Sequence, residues 1–337
     1  MVAAFSEKKR STSINRILVI IPAAGLGSRM NSEVNKQFLE IDGLPVIVRT
    51  LQAFQEFSRS LMASGIVLKA IVVTGKENVF KINSYIRYYG FDFVQSVVKG
   101  GDTRMESVWN GIEALDDLPF APSDNDIVFI HDGARCLVDQ DTLERCLDGA
   151  LKYEICAAAV PVKSTIKITE PIAPSPIPEL SKADNDMPAI LRGSSIFKST
   201  TPTPIAVNKT PKRDELMEVQ TPQVFRYGKL VKSYVNAIKK DLDATDDTQL
   251  AEAMNYTVNL VEGSYSNIKI TTPEDIIMAE SLIRNFESEK QAKAEREAEE
   301  AARVQAEIEA KREAFKLQRT SRLNKPNDKG PTGFGRL

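Results

Sequence analysis

The most constraining feature of this chain is the run RILVII (16–21), five apolar residues after Arg16, which feeds directly into the turn PAAGLGSRM (22–30). A strand that is apolar on both faces has to be covered on both faces, as in a parallel sheet flanked by helices. Similar runs return at LKAIVVTG (68–75), FDFVQSVVKGG (91–101), DIVFIHDGA (126–134) and ICAAAVPV (155–162). Between them, Pro45–Phe57, Asn78–Tyr88, Thr103–Leu115 and residues 139–151 carry apolar residues at helical spacing. This alternation predicts an α/β fold built on a Rossmann-like, mostly parallel sheet. In such sheets ligands bind outside the carboxyl ends of the strands, here the turns after Ile21, Val98 and Ile130.

The rhythm breaks at residues 163–222. TIKIT is a short strand candidate, and residues 171–211 then hold 8 of the chain's 17 prolines, a composition that disfavours helix and interior strand. An extended, partly disordered insertion is expected there. Regular structure resumes at EVQTPQVF (218–225), followed by a helix from Tyr227 to Lys239. A second helix begins in TDDTQLAEAM (245–254), capped by Thr245 or an Asp. VNLVEG and SNIKIT are expected as strands, and TPEDIIMAESLI (272–283) as a helix with Pro273 in its first turn. Residues 287–320 are rich in Ala, Glu, Lys and Arg. Glu289/Lys293, Glu299/Arg303 and Glu307/Lys311 fall at the favourable i, i+4 order, as in a solvated helix. The organisation expected is a lead at 1–15, one domain at 16–286 with an arm at 163–222, the charged helix, and a tail at 321–337.

A formal net charge of −2 points to neither nucleic acid nor an anionic membrane surface as a partner. No apolar run approaches the roughly 20 residues of a membrane helix. The first residues lack the apolar centre of a signal peptide. Cys136, Cys146 and Cys156 show no CxxC spacing, which fits a reducing cytoplasm. One histidine, His131, argues against a multi-histidine metal site and is expected as a packed core residue.

Three pieces carry chemistry. In the first turn, Gly25 and Gly27 present backbone amides to a ligand, and Arg29 and Lys36 bring cations to the same mouth, as a triphosphate requires. The third glycine of a dinucleotide fingerprint is replaced by Met30, and GxxxxGK[ST] is absent. In KGGDTRMESVWNGI (99–112), Gly100 and Gly101 would let backbone approach a flat ligand, with Arg104 and Ser107 about one turn apart on the next helix. In IHDGAR (130–135), Asp132 ends a buried strand. It suits Mg²⁺ shared with phosphates, or else it caps the next helix; Arg135 could grip a second anion.

Seven pieces in this order, PAAGLGSRM…NKQFL, GGDTRMESV, HDGAR, PVKSTIK, RDELMEVQTPQVF, ATDD and NIKITTPED, resemble the 2-C-methyl-D-erythritol 4-phosphate cytidylyltransferases over about residues 16–285. The resemblance implies a glycosyltransferase-A-like fold and Mg²⁺-dependent transfer of CMP from CTP to the sugar-alcohol phosphate, with release of pyrophosphate. It also implies a homodimer joined by protruding arms. By that resemblance Ala23, Ala24, Gly25 and Gly27 would line the CTP site, and Gly101, Asp102 and Ser107 would read ribose and cytosine. Arg29 and Lys36 would be the catalytic cations. Asp132 would meet metal and substrate beside Arg135, and Thr165 and Arg213 would reach the neighbouring subunit's site. Thr221, Thr245 and Lys269 would surround the erythritol phosphate. Asn35, Cys136 and Ser266 depart from the family pattern, and the arm is longer than usual. Three alternatives stay open: ribitol 5-phosphate as acceptor, an NAD(P)-binding oxidoreductase, and a non-enzymatic scaffold built on the charged helix.

Overall fold

A computed structural model describes residues 14–25, 35–171, 205–242 and 244–323, with the side chains of Pro171 and of residues 313–323 left aside. The chain divides into two units, Met1–Ile276 and Ile277–Leu337.

The first unit is built on a seven-stranded sheet. At its centre β1 (Arg16–Pro22) pairs in parallel with β4 (Val67–Thr74) and with β6 (Ile127–Ile130), and β4 pairs in parallel with β5 (Val94–Lys99). Ile17 to Ile21 are completely buried, as a strand covered on both faces must be. β10 (Met217–Arg226) is the exception: it runs antiparallel to both β6 and β7 (Ile155–Pro161), and β11 (Asn259–Glu262) closes that edge in parallel with β7. A two-residue hairpin, β2 (Glu40–Ile41) and β3 (Leu44–Pro45), precedes the first helix.

The helices between strands divide the core in two. Against Ile17, Val19 and Ile21 lie α1 (Val46–Met62), α2 (Val79–Tyr89) and α4 (Gln140–Tyr153), with Leu51, Phe54, Phe57 and Leu147 fully buried. Against Leu18 and Ile20 lie α3 (Arg104–Asp116), α5 (Tyr227–Lys240) and the short α6 (Asp247–Glu252). The approach of α3 to the sheet is close at Gly111, where a Cβ would fall 2.6 Å from Ile20 Cγ2 and 3.1 Å from Val73 Cγ2. Gly111→Ala is therefore expected to cost roughly 1–3 kcal/mol by overpacking. Denaturant unfolding checks this, and an unchanged midpoint would refute the close fit.

Two expected boundaries differ. SNIKIT is not a strand: residues 266–271 are held by isolated hydrogen bonds from side chains and backbone, as described below. The two helices expected at 272–283 and 287–320 are one, α7 (Pro273–Leu323). Its start is capped by Asp275, whose Oδ2 accepts from the Thr271 and Thr272 backbone N–H groups at 2.7 and 2.8 Å. In the second unit Lys311 Nζ meets Glu307 Oε1 at 2.7 Å. The arm carries a hairpin of β8 (Ile168–Pro171) and β9 (Ile205–Lys209), antiparallel to each other. Of the spans expected to lack structure, 1–15, 171–211 and 321–337, residues 1–13, 172–204 and 324–337 lie outside the described residues, while β9 forms inside the expected insertion and α7 runs to Leu323. Among the described residues no helix is long and apolar enough to cross a membrane.

Candidate active site

The carboxyl ends of β1, β4, β5 and β6 open into one cleft of about 570 Å³, walled by Ala24, Gly25, Lys36, Gly101, Ser107 and Lys269, with Asp132 among its lining. That volume is in the range of small-molecule sites. Asp102 also lines it, so eight residues proposed from sequence converge here.

Each wall has a local cause. β1 ends at Pro22, and Ala23 turns inward, its N–H donating to Val73 O at 2.6 Å, which leaves Ala24 and Gly25 at the mouth. Lys36 enters from a 3₁₀ turn (Lys36–Phe38) whose cap is Asn35: its Oδ1 accepts from Gln37 N–H at 3.1 Å. The departure from the family pattern at residue 35 thus performs a capping role. Gln37 and Phe38 are buried and anchor the turn. The Lys36 stem crosses the glycine mouth, since a Cβ on Gly25 would lie 3.9 Å from Lys36 Cε.

The Gly100–Gly101 pair is explained by protein packing. A Cβ on Gly100 would lie 2.7 Å from Ala24 Cβ, and one on Gly101 2.3 Å from Glu106 Cβ. The turn is pressed against its neighbours and then fixed by a capping box. Thr103 Oγ1 accepts from Glu106 N–H at 3.1 Å, while Glu106 Oε2 accepts from the N–H groups of Asp102 and Thr103. Ser107 donates to Thr103 O at 2.9 Å and accepts from Gly101 N–H at 3.2 Å.

Asp132 is the electrostatic hub. Its Oδ2 meets Lys269 Nζ at 2.7 Å and its Oδ1 meets Arg104 Nε at 3.2 Å. Burial works against its charge, but Arg104 and then Lys269 outweigh burial and hold the carboxyl well below the usual carboxylate range. Arg104 continues to a second carboxylate, Asp247, through Nη2 at 2.7 Å from Oδ2. Burial disfavours the guanidinium charge as well, and Asp247 followed by Asp132 more than restores it. The backbone of Asp132 is set from below: its N–H donates to Thr221 Oγ1 at 3.1 Å. His131 Nε2 lies 2.9 Å from Arg135 O and can only donate there. Its Nδ1 then accepts the Thr221 hydroxyl at 3.2 Å. Burial pushes the imidazole down to about 4, so the ring is a neutral brace, as expected of a core histidine.

Lys269 is positioned by a clamp. Arg135 Nη1 donates to Asn267 O at 2.7 Å, and Ile270 N–H donates to Ala134 O at 2.8 Å. Asn267 Nδ2 donates to Thr221 O at 2.8 Å. Arg135 is thus buried beneath the cleft and holds the segment that presents Lys269, where the sequence suggested a grip on an anion. Thr221 is likewise buried under Asp132. Thr245 is exposed and outside the cleft lining; it exchanges hydrogen bonds with Gln249, and Asp246 caps α6. Thr165 and Arg213 are exposed on the arm and line no part of this cleft. Gly27 and Arg29 fall within 26–34, outside the described residues. Two residues without an assigned role in the sequence, Arg104 and Asp247, prove central to the charge network. The signal for Asp247 was present in ATDD, but only the fold shows which Asp turns inward.

A metal can be tested against this donor set. Among the described residues no three carboxylate, imidazole or thiolate groups converge. One carboxylate, Asp132, at the foot of the cleft fits a hard cation that completes its shell with phosphate oxygens and water, as Mg²⁺ does at nucleotide sites.

The family profile described as IspD, 2-C-methyl-D-erythritol 4-phosphate cytidylyltransferase, matches residues 17–175 and 191–285 of this chain. A 2-C-methyl-D-erythritol 4-phosphate cytidylyltransferase of Alkaliphilus oremlandii is 38% identical over 273 residues, 81% of this chain and 97% of its own length. That of Desulforamulus reducens is 36% identical over 271 residues, 80% and 97% of the two chains. The crystal structure of 4-diphosphocytidyl-2C-methyl-D-erythritol synthase from Anaerococcus prevotii aligns with a TM-score of 0.59 at 28% identity, over 80% of this chain and 96% of that one.

Proposed function

The chain belongs to the 2-C-methyl-D-erythritol 4-phosphate cytidylyltransferase family, and from this we infer that it transfers CMP from CTP to 2-C-methyl-D-erythritol 4-phosphate and releases pyrophosphate. The observation that carries the site assignment is the meeting of Asp132, Arg104 and Lys269 in the cleft that Lys36 enters beside Gly25. The oxidoreductase and scaffold alternatives fall with family membership.

The nucleophile is the acceptor's phosphate, whose second pKa near 6 makes it mostly dianionic at neutral pH. It needs no general base, which fits a histidine that is buried with both ring nitrogens engaged. The obstacle is the approach of a dianion to the α-phosphate of a polyanion, so the protein's task is alignment and charge neutralisation. Lys36 neutralises the nucleotide at the glycine mouth, together with Arg29 in our proposal. Gly101, Asp102 and Ser107 shape the wall that would face ribose and cytosine. Lys269 orients the incoming phosphate by exchanging its partner Asp132 for the acceptor's oxygens. Asp132 is the residue that would hold Mg²⁺; the bound ion would supply further neutralisation of the triphosphate.

A homodimer is part of the same proposal. Ile168, Ile205 and Val207 on the arm's hairpin are 49%, 65% and 56% exposed. Pairing two arms would cover this apolar surface and could bring Thr165 and Arg213 to the opposite cleft. One experiment tests both parts. Purified protein with CTP and Mg²⁺ should release pyrophosphate with methylerythritol phosphate and much more slowly with ribitol 5-phosphate. Light scattering on the same sample should give twice the chain mass. Turnover with ribitol 5-phosphate alone would reverse the acceptor assignment, and a monomer at assay concentration would remove the dimer.

A further inference from the structure

Arg104 and Lys269 occupy opposite oxygens of one carboxylate, yet they are held very differently. Arg104 is tethered at both ends, by Asp132 Oδ1 at 3.2 Å and by Asp247 Oδ2 at 2.7 Å. Asp247 is itself enclosed: its side chain is 1% exposed, its Oδ1 accepts the Tyr234 hydroxyl, and its N–H donates to Gln223 Oε1 at 2.8 Å. Tyr234 is fully buried, with its ring stacked 6.2 Å from that of Trp109. Lys269 ends in the cleft with its side chain 37% exposed and Asp132 as its ion-pair partner. Only its backbone is clamped, through Ile270 N–H on Ala134 O.

We propose that Asp247 is a positioning residue that acts through Arg104: it fixes the guanidinium on Asp132 so that Lys269 alone is the cation that leaves for the acceptor's phosphate. The inference rests on the cytidylyl-transfer reading and deepens it. When Lys269 turns to the phosphate, Asp132 loses one of its two cations just as a dianion arrives. A carboxylate without a fixed side-chain partner would be free to rotate away from the place where it would hold Mg²⁺. Arg104 prevents this only if its own place does not depend on Asp132, and the buried Asp247 supplies that independence. The task requires an arginine. A planar fork can bind two carboxylates at once through Nε and Nη2, whereas an ammonium is a single point charge. The dry surroundings of Asp247 make its hold on Nη2 stronger than a surface ion pair.

The test compares wild type, Arg104→Lys, Asp247→Asn and the double variant, measuring kcat and KM for CTP. Each single variant is expected to lose at least about tenfold in kcat with KM for CTP changed by less than about threefold, because the defect lies in aligning the acceptor. The double variant should fall no more than about twofold below the weaker single one, since Asp247 works only through Arg104. Near-native kcat in Arg104→Lys overturns the proposal, and it does so even if Asp247→Asn fails to fold. Multiplying losses in the double variant also overturn it, because they would show that Asp247 supports the fold independently of Arg104. Wild-type protein without turnover takes down the functional reading along with this one; an active wild type with unaffected variants takes down this one alone.

Discussion

Lys36→Ala is expected to lower kcat by about 10²–10³-fold, the range seen when one preorganised donor to a developing anion is removed. The fold should survive. The turn that carries Lys36 is anchored by Gln37 and Phe38, which are buried, and capped by Asn35. None of these contacts passes through the ammonium. The stem of Lys36 lies against Gly25 at the mouth of the cleft, so truncation removes charge where the triphosphate would sit. If the ammonium acts chiefly in the transition state, kcat and kcat/KM fall together. A rise in KM with kcat unchanged would mean ordinary ground-state binding, and near-normal turnover with an unchanged melting temperature would remove the assigned role.

Asp132→Asn is expected to produce the other large effect, and in two observables with different causes. The first is stability. Asp132 neutralises Arg104 and Lys269 directly and lies close enough to Arg135 to feel its charge. Removing one member of a largely buried ion cluster leaves Lys269 without this partner and Arg104 with Asp247 alone, at a cost of about 3 kcal/mol. For a domain of this size that is roughly a 6–12 °C fall in melting temperature. The second observable is catalysis. Without the carboxylate, Lys269 is released toward any anion in the cleft while Asp247 keeps Arg104 in place, and the hold that Asp132 would give Mg²⁺ beside the triphosphate is lost, so KM for CTP should rise. Over the same substitution kcat should drop by at least about 10²-fold, because alignment of the acceptor is lost. A variant that keeps both its melting temperature and its kcat would remove both roles; helix capping is not a third, because Asp139 caps the next helix.

The resemblance across seven segments already implied much of the site, and the structure brings Ala24, Gly25, Lys36, Gly101, Asp102, Ser107, Asp132 and Lys269 to one cleft. Other residues were harder to place. Arg135 reads in sequence like a second phosphate grip because an arginine after His-Asp-Gly-Ala sits at a strand end. Its depth is set by the segment around Asn267, some 130 residues later, which folds over it. SNIKIT looks like a strand by its alternation. It forms none because Arg135 takes the Asn267 carbonyl, Ile270 N–H donates to Ala134 O and the Asn267 side chain donates to Thr221 O, so no ladder with a neighbouring strand is made. The glycine pair at 100–101 lines the cleft, and the sequence did not show that Ala24 and Glu106 also pack where a Cβ at either position would stand.

What the sequence determined by itself is local and periodic. Buried strands announce themselves by apolar runs and helices by their spacing, and the order of these elements selects a mostly parallel sheet. Family kinship was legible for the same reason, since it resides in short contiguous motifs. The tertiary structure alone decided the reversed direction of β10 and the joining of Asp132, Arg104 and Asp247 into one chain of charge across residues 104 to 247. It also decided that Arg104 meets two carboxylates and Lys269 one. Those outcomes depend on burial and on distances between segments remote in sequence. Charge is cheap in water and costly in the interior, so a carboxylate's role is settled only when the fold encloses it.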